Sequence, residues 1–170
     1  MTLFTTAEGP LGELLLVGEE SATTPSGIVM VSLSMPDSRS PALPRDEWQR
    51  SRTALAGVVR QLEEYFEGRR TRFELEYRTS GTEFQQRVWE AIDAIPYGTT
   101  TTYGALAERL GIPRRQVRVL GAAIGANPLL LVRPCHRVIG ADGSMRGYAG
   151  GIDRKVALLT HEGALQPMLG

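Results

Sequence analysis

The apolar positions change their period along the chain, and each change marks an element. Residues 11–18 and 27–33 are runs rich in Leu and Val, bounded by Gly, Ser and Pro. They predict two strands around a polar turn at 19–26. Residues 34–44 read as a Pro/Ser loop. From Asp46 the spacing becomes helical: Trp48, Leu55, Val58, Val59, Leu62, Tyr65 and Phe66 fall on one face, and Gly68 is placed to end the helix. Phe73, Leu75 and Tyr77 then alternate, which predicts a strand over 72–78. Together these make a small α/β unit at 1–78, with residues 79–81 linking it to a second unit, 79–170.

The second unit is mostly helical by pattern. Thr82 and Gln85 fit a capping box, and Phe84, Val88, Ile92 and Ile95 follow on one face. Pro96-Tyr97-Gly98 stops that helix. Thr102 is placed to cap the next, 103–110, and Gly111-Ile112-Pro113 is a tight turn. Pro113 suits the first turn of a helix over 114–126, with Val117, Leu120, Ala123 and Ile124 inward. Two short helices around a glycine-containing turn have the layout of a helix-turn-helix, although plain helix hairpins share it. Gly121, Ala122, Gly125 and Ala126 would let the second backbone lie close to a nucleic-acid groove or to a neighbouring helix. Residues 129–132 are a short apolar run that predicts a buried strand. Pro134 cannot donate to a ladder, so the strand should end there and present Cys135 at its mouth. A glycine-rich loop at 140–151, with an Asp142-Gly143 turn, leads to a last helix at 153–162. Val156, Leu158 and Leu159 are its apolar positions, and Gly163 caps it.

Composition narrows the class. A chain of 170 residues, 42% hydrophobic and 22% charged, suits one globular unit or two small ones and is too apolar to be disordered. No run approaches the roughly 18 apolar residues of a membrane helix. The first residues carry no basic head with an apolar stretch, so no secretory signal is expected. The single cysteine excludes an intramolecular disulfide and a multi-cysteine zinc finger. A soluble, cytoplasmic, reducing setting is the expectation.

Nineteen basic and nineteen acidic residues cancel, but not evenly. Residues 1–80 hold nine Arg and twelve Asp/Glu, a balance of −3, and residues 81–170 hold nine Arg, one Lys and seven Asp/Glu, a balance of +3. Within 109–137 stand Arg109, Arg114, Arg115, Arg118, Arg133 and Arg137 with no acid. Such a block can face phosphates, or it can be a solvated helix face. Lys155 is the only lysine, and the arginine excess reads as codon bias.

A lone cysteine is by default an inert buried residue. It becomes a nucleophile where something stabilises its thiolate. His136 is adjacent, and because neighbouring side chains on an extended segment point apart, a water would bridge the two. A third group should orient the imidazole. Glu162 is the natural candidate, and spacing does not separate it from Asp142 or Asp153. His161 reads as a surface residue.

Pro134-Cys135-His136-Arg137-Val138 resembles the active-site signature of the O6-alkylguanine-DNA alkyltransferases, the single-use DNA-repair methyltransferases. The likeness extends in order through Gly81-Thr82-Glu83-Phe84-Gln85-Gln86-Arg87-Val88-Trp89, Ile95-Pro96-Tyr97-Gly98 and Thr102-Tyr103-Gly104-Ala105-Leu106-Ala107. It continues through residues 118–128, Gly147-Tyr148-Ala149-Gly150-Gly151 and His161-Glu162-Gly163. It is dense over 79–163 and rests on strand–helix layout before that.

The resemblance implies a ribonuclease H-like small sheet plus helix, followed by a mostly α, winged-helix-like domain with a helix-turn-helix. It implies irreversible, single-turnover transfer of an alkyl group from O6-alkylguanine, and from O4-alkylthymine, after the nucleotide is flipped out. Cys135 would be the acceptor, His136 the base acting through water, and Glu162 its orienting partner. Asn127 would be the hinge that ties the helix-turn-helix to the active-site segment. Tyr103 would donate to the flipped guanine, and Arg118 would be the finger that fills its place. Arg114, Arg115, Gly121 and Ala122 would face DNA, bound mainly through the minor groove and phosphates. Val138, Tyr148, Ala149 and Gly150 would wall the base pocket. No cofactor is implied, and the protein is expected to act as a monomer, with cooperative binding along DNA open.

Four departures from the family pattern stand out. Arg133 replaces an aliphatic residue before Pro134, the stretch around 111–116 is one residue longer than usual, and Ala149 stands where some members carry a serine. There is also no Cys or His before residue 135 to hold the zinc that some members bind. Two other readings share parts of the pattern. A non-enzymatic lesion binder of the same fold lacks the cysteine, so Cys135 argues against it. A helix-turn-helix regulator with a sensor cysteine needs an effector domain for which the chain has little room.

Overall fold

Thr2–Gly9 (β1) and Gly12–Glu20 (β2) form a hairpin in which Gly9 lies opposite Gly12 across the turn Pro10-Leu11. Ile28–Ser34 (β3) pairs antiparallel with β2, and Gln49–Arg50 (β4) pairs parallel with β1, giving the order β3-β2-β1-β4. These coordinates come from a computed structural model that describes residues 1–37 and 44–165. Most of the predicted Pro/Ser loop therefore lies outside the described residues. The chain divides into two compact units, Met1–Ser80 and Gly81–Gly170.

The periodicity does not reveal β1. It is an inner strand, with Leu3, Phe4 and Thr5 buried in succession, and a strand covered on both faces loses its alternation. The helix, Ala56–Phe66 (α1), begins later than Asp46. The sheet edge takes the intervening segment: Trp48 packs on Phe4, with centroids 6.3 Å apart, and the Ser51 N–H donates to the Phe4 carbonyl at 2.9 Å. Val58, Val59, Leu62 and Tyr65 are buried as predicted, and Gly68, at φ 79°, follows the helix end. Residues 72–78 are not a strand. Phe73, Leu75 and Tyr77 do alternate half-buried with exposed neighbours, but the backbone makes one parallel bridge, Met30 to Tyr77. The peptide groups of Glu74 are taken by the Gln61 side chain instead, at 2.8 and 3.1 Å.

In the second unit Glu83–Asp93 (α2) opens on the predicted capping box between Thr82 and Gln85. Trp89, buried, donates from Nε1 to the Ala123 carbonyl at 2.9 Å and so ties α2 to the later helix. Thr101–Thr102 (β5) leads into Tyr103–Leu110 (α3), where Thr102 Oγ1 accepts from the Ala105 N–H and Gly111 closes the helix at φ 70°. After the turn comes a 3-10 turn, Arg114–Gln116, and then Val117–Gly125 (α4). The predicted helix thus starts in tighter winding than expected, while Leu120, Ala123 and Ile124 are buried as expected.

Residues 129–131 are buried and Val132 is half-buried, but the run is not a strand. Leu131 sits at φ 71°, and the Val132 and Arg133 N–H groups donate back to Leu130 and Leu129 at 2.8 and 3.0 Å. The apolar run reported burial correctly; turn bonds, not a ladder, satisfy its backbone. Cys135 accordingly lies in a 3-10 turn, Cys135–Arg137, followed by Val138–Ile139 (β6), which pairs parallel with β5. The glycine-rich loop turns at Gly143, φ 83°, with Gly140 and Ser144 bonded across it at 2.8 Å. Ile152–His161 (α5) buries Lys155, Leu158 and Leu159, whereas Val156, expected on the apolar face, is exposed. No described helix is long and apolar enough to cross a membrane.

Candidate active site

Asn127 is the hub of the site. It is buried just beyond α4, where Nδ2 donates to the carbonyls of Leu129 and Arg133 at 3.2 and 3.3 Å and to Cys135 Sγ at 3.2 Å. Its Oδ1 accepts from the Leu129 N–H at 3.0 Å and from Arg133 Nη1 at 3.3 Å. Cys135 is 4% exposed, so it is sealed within the unit and not displayed at a strand mouth. Burial pushes its thiol up to about 11, against the pull of the Asn127 hydrogen bond, Lys155 and Arg133. At neutral pH the sulfur is a thiol awaiting a base.

His136 supplies the second element. Its Nε2 lies 2.9 Å from Glu162 Oε2. Arg137 grips the same carboxylate in a fork, Nε to Oε1 at 2.8 Å and Nη2 to Oε2 at 3.0 Å, and its Nη1 donates to the Ile95 carbonyl at 2.6 Å. The structure therefore selects Glu162 over Asp142 and Asp153, both exposed. A carboxylate held by a guanidinium accepts hydrogen bonds, which puts the imidazole proton on Nε2 and leaves Nδ1 a lone pair. Nδ1 is buried with no hydrogen-bond partner. Burial lowers the His136 pKa, more than Glu162 raises it, so the ring is neutral at pH 7.

The surrounding walls come from separate elements. The β5–β6 pairing sets Tyr103, the first residue of α3, beside the Cys135 segment; burial and the sulfur's proximity raise its hydroxyl pKa. Val138 is buried, as are Tyr148 and Gly150, while Ala149 is half-buried. The Tyr148 ring stands edge-on to His136 with centroids 6.4 Å apart, and its buried hydroxyl has no hydrogen-bond partner. Lys155 Nζ donates to the carbonyls of Val138, Met145 and Gly147 at 2.6, 2.5 and 3.1 Å, pinning the glycine-rich loop to β6. Among the described residues no cluster of three or more His, Cys, Asp or Glu is arranged to hold a metal ion.

On the outside of the unit, Arg114, Arg115, Arg118 and Ala122 are exposed and Gly121 is half-buried. A Cβ added at Gly121 would meet nothing within 4 Å, so packing within the described residues does not demand its small size. Val119, 54% exposed, lies on the same helix.

The family models that match are the DNA-binding domain of 6-O-methylguanine DNA methyltransferase, over residues 83–164, and its ribonuclease-like domain, over residues 2–79. The chain belongs to this family. It is 43% identical over 162 residues to a methylated-DNA--protein-cysteine methyltransferase of Mycolicibacterium paratuberculosis, covering 95% of this chain and 93% of that one. It is 41% identical to a protein of the same name from Methanosarcina acetivorans, over 92% of this chain and 96% of that one. Its fold matches the crystal structure of Mycobacterium tuberculosis OGT in complex with DNA, with a TM-score of 0.83 at 42% identity, covering 98% and 96% of the two chains.

Within the methyltransferase family frame, sequence reasoning missed two buried cations. Arg137 stands in the signature and in the basic block that could face phosphates, yet it is buried against Glu162, and Lys155 stands out in the sequence only as a compositional oddity. The oddity was itself a signal. Where every other basic residue is arginine, a retained lysine marks a place that needs a compact, three-donor ammonium in place of a planar fork. Arg133, the buried departure before Pro134, is paired: its Nε lies 3.4 Å from Asp93, and its guanidinium lies 4.9 Å from the Trp89 ring centroid.

Proposed function

We propose that the chain repairs DNA by moving an alkyl group from guanine O6, and by the same chemistry from thymine O4, onto Cys135. One observation carries the reading. In a unit of a DNA-methyltransferase family, the lone cysteine accepts a hydrogen bond from Asn127 and adjoins a histidine anchored at 2.9 Å to a buried glutamate.

The alkyl group of a lesion lies inside the duplex, so the nucleotide must be flipped out, at a cost of a few kcal/mol. The helix-turn-helix of α3 and α4 presents its arginines to the phosphates, and Arg118 enters the stack to fill the gap, which offsets part of that cost. The base then sits among Val138, Tyr148, Ala149 and Gly150, with Tyr103 donating to the purine. Water carries the Cys135 proton to His136 Nδ1, and Glu162 balances the imidazolium. The sulfur lone pair attacks the alkyl carbon, the C–O6 bond breaks with its electrons staying on oxygen, and guanine regains a ring proton. The net change is a thiol and an alkylated base becoming a thioether and a normal base. A thioether does not hydrolyse, so each molecule acts once. Contacts to phosphate and DNA shape suit a lesion that arises in any sequence. The protein works as a monomer in the cytoplasm, on nucleoid DNA.

Incubation with a duplex carrying O6-methylguanine, followed by intact-mass and peptide analysis, tests this. One added methyl on the peptide containing Cys135 is expected. Tight lesion binding with no change of mass would overturn the transfer reading.

A further inference from the structure

Arg133 is 3% exposed, and burying a guanidinium is costly unless its donors are engaged. Asp93 and Trp89 meet one side of it. A further contact, from Nη1 to Asn127 Oδ1 at 3.3 Å, leads to the reactive sulfur, because the other end of the same amide donates to Cys135 Sγ at 3.2 Å. Cation, amide and sulfur are thus linked by consecutive hydrogen bonds.

We infer that Arg133 is a positioning residue for alkyl transfer, holding and polarising the Asn127 amide so that its N–H stabilises the negative charge developing on Cys135. The inference rests on Cys135 being the acceptor. Arg133 only donates, so together with the Leu129 N–H it keeps Oδ1 turned inward and the NH2 turned to sulfur. A positive charge at Oδ1 draws electron density from the amide nitrogen, and linked hydrogen bonds strengthen one another in this way. The other groups that interact with the sulfur are Lys155, Tyr103 and Tyr148, and His136 follows it in the chain. Lys155 loses its charge near pH 8, whereas a guanidinium keeps its charge throughout. Arg133 therefore supplies the part of the field that does not change with pH.

The chain has one cysteine, so an NMR label at the cysteine Cβ titrates a single sulfur without DNA and without turnover. Arg133→Leu should move that titration alkaline by about one unit and slow transfer from a free O6-alkylguanine base about tenfold at neutral pH. Arg133→Lys should recover part of both. Asp93→Asn, which removes the counter-charge, should move the titration the other way. A titration unmoved in Arg133→Leu, with only the melting temperature lowered, would make Arg133 a structural filler and overturn the inference. If Arg133→Leu does not fold, the lysine variant and Asp93→Asn decide: no movement in either overturns it. Absence of methyl transfer to Cys135 in the wild-type chain, by contrast, would sink the acceptor reading and leave the titration result standing.

Discussion

Glu162 and His136 meet at 2.9 Å with neither side chain reaching solvent. Arg137 holds the same carboxylate, so one buried glutamate answers to two cationic or potentially cationic groups. Burial keeps the imidazole neutral, and the shared carboxylate holds it with Nε2 toward the acid. The arrangement is costly if any member is lost.

Glu162→Gln keeps the shape and removes the charge, leaving the Arg137 guanidinium buried without its counter-ion. Loss of one partner of a buried pair costs about 3–5 kcal/mol. Urea unfolding should give a free energy of unfolding lowered by that amount, and transfer should slow sharply. Adding Arg137→Met should restore much of the stability and none of the rate.

Acid should destabilise the fold through His136. Its folded pKa lies below the ordinary histidine value because burial disfavours the charged ring. Above about pH 6.5 both folded and unfolded rings are neutral and the group has no effect. As the pH falls below that value the unfolded state takes up a proton that the folded state refuses, so stability falls. Urea midpoints measured from pH 7 down to pH 5 should drop in the wild type and drop less in His136→Gln.

Cys135→Ser should bind O6-methylguanine duplex as the wild type does and transfer nothing, because a hydroxyl is too weak a nucleophile at this site. Methyl found anywhere on the serine variant by mass analysis would mean the nucleophile lies elsewhere.

Arg118 is exposed on α4 and touches none of the reacting groups. Arg118→Ala should therefore slow repair of duplex DNA by at least tenfold while leaving reaction with a free O6-alkylguanine base nearly unchanged. Equal losses on the two substrates would remove it from the flipping step.

Lys155 pins three carbonyls of the loop and β6. In Lys155→Met those acceptors lose their donor, so amide hydrogen exchange over 140–148 should rise and transfer should fall. Lys155→Arg should not rescue either, since a planar fork cannot meet three converging carbonyls. Burial pulls the ammonium down to about 8, so the wild-type rate should fall above pH 8 as this charge is lost, well before the thiol titrates. In Lys155→Met that alkaline fall should vanish.

The local grammar of the chain was open to reading. The Thr82–Gln85 capping box, the Thr102 cap, the Gly111 turn and the glycine at 68 each act within a few residues, so their outcome does not depend on the rest of the fold. The Pro134-to-Val138 signature likewise announced its chemistry. What the pattern misassigned depends on neighbours distant in sequence. β1 shows no alternation because Leu3, Phe4 and Thr5 are buried in succession, and 72–78 alternates with a single bridge because Gln61 takes the backbone groups of Glu74. The apolar run at 129–132 reported only that it is buried, and the Asn127 amide decided that it turns. The same holds at the centre of the site. Sequence alone determined that a cysteine and a histidine stand side by side; only tertiary structure chose Glu162 among three acids and recruited Arg133, Arg137 and Lys155. Buried charges are settled by which long-range partners the fold delivers within hydrogen-bond reach, and spacing along the chain carries no record of that.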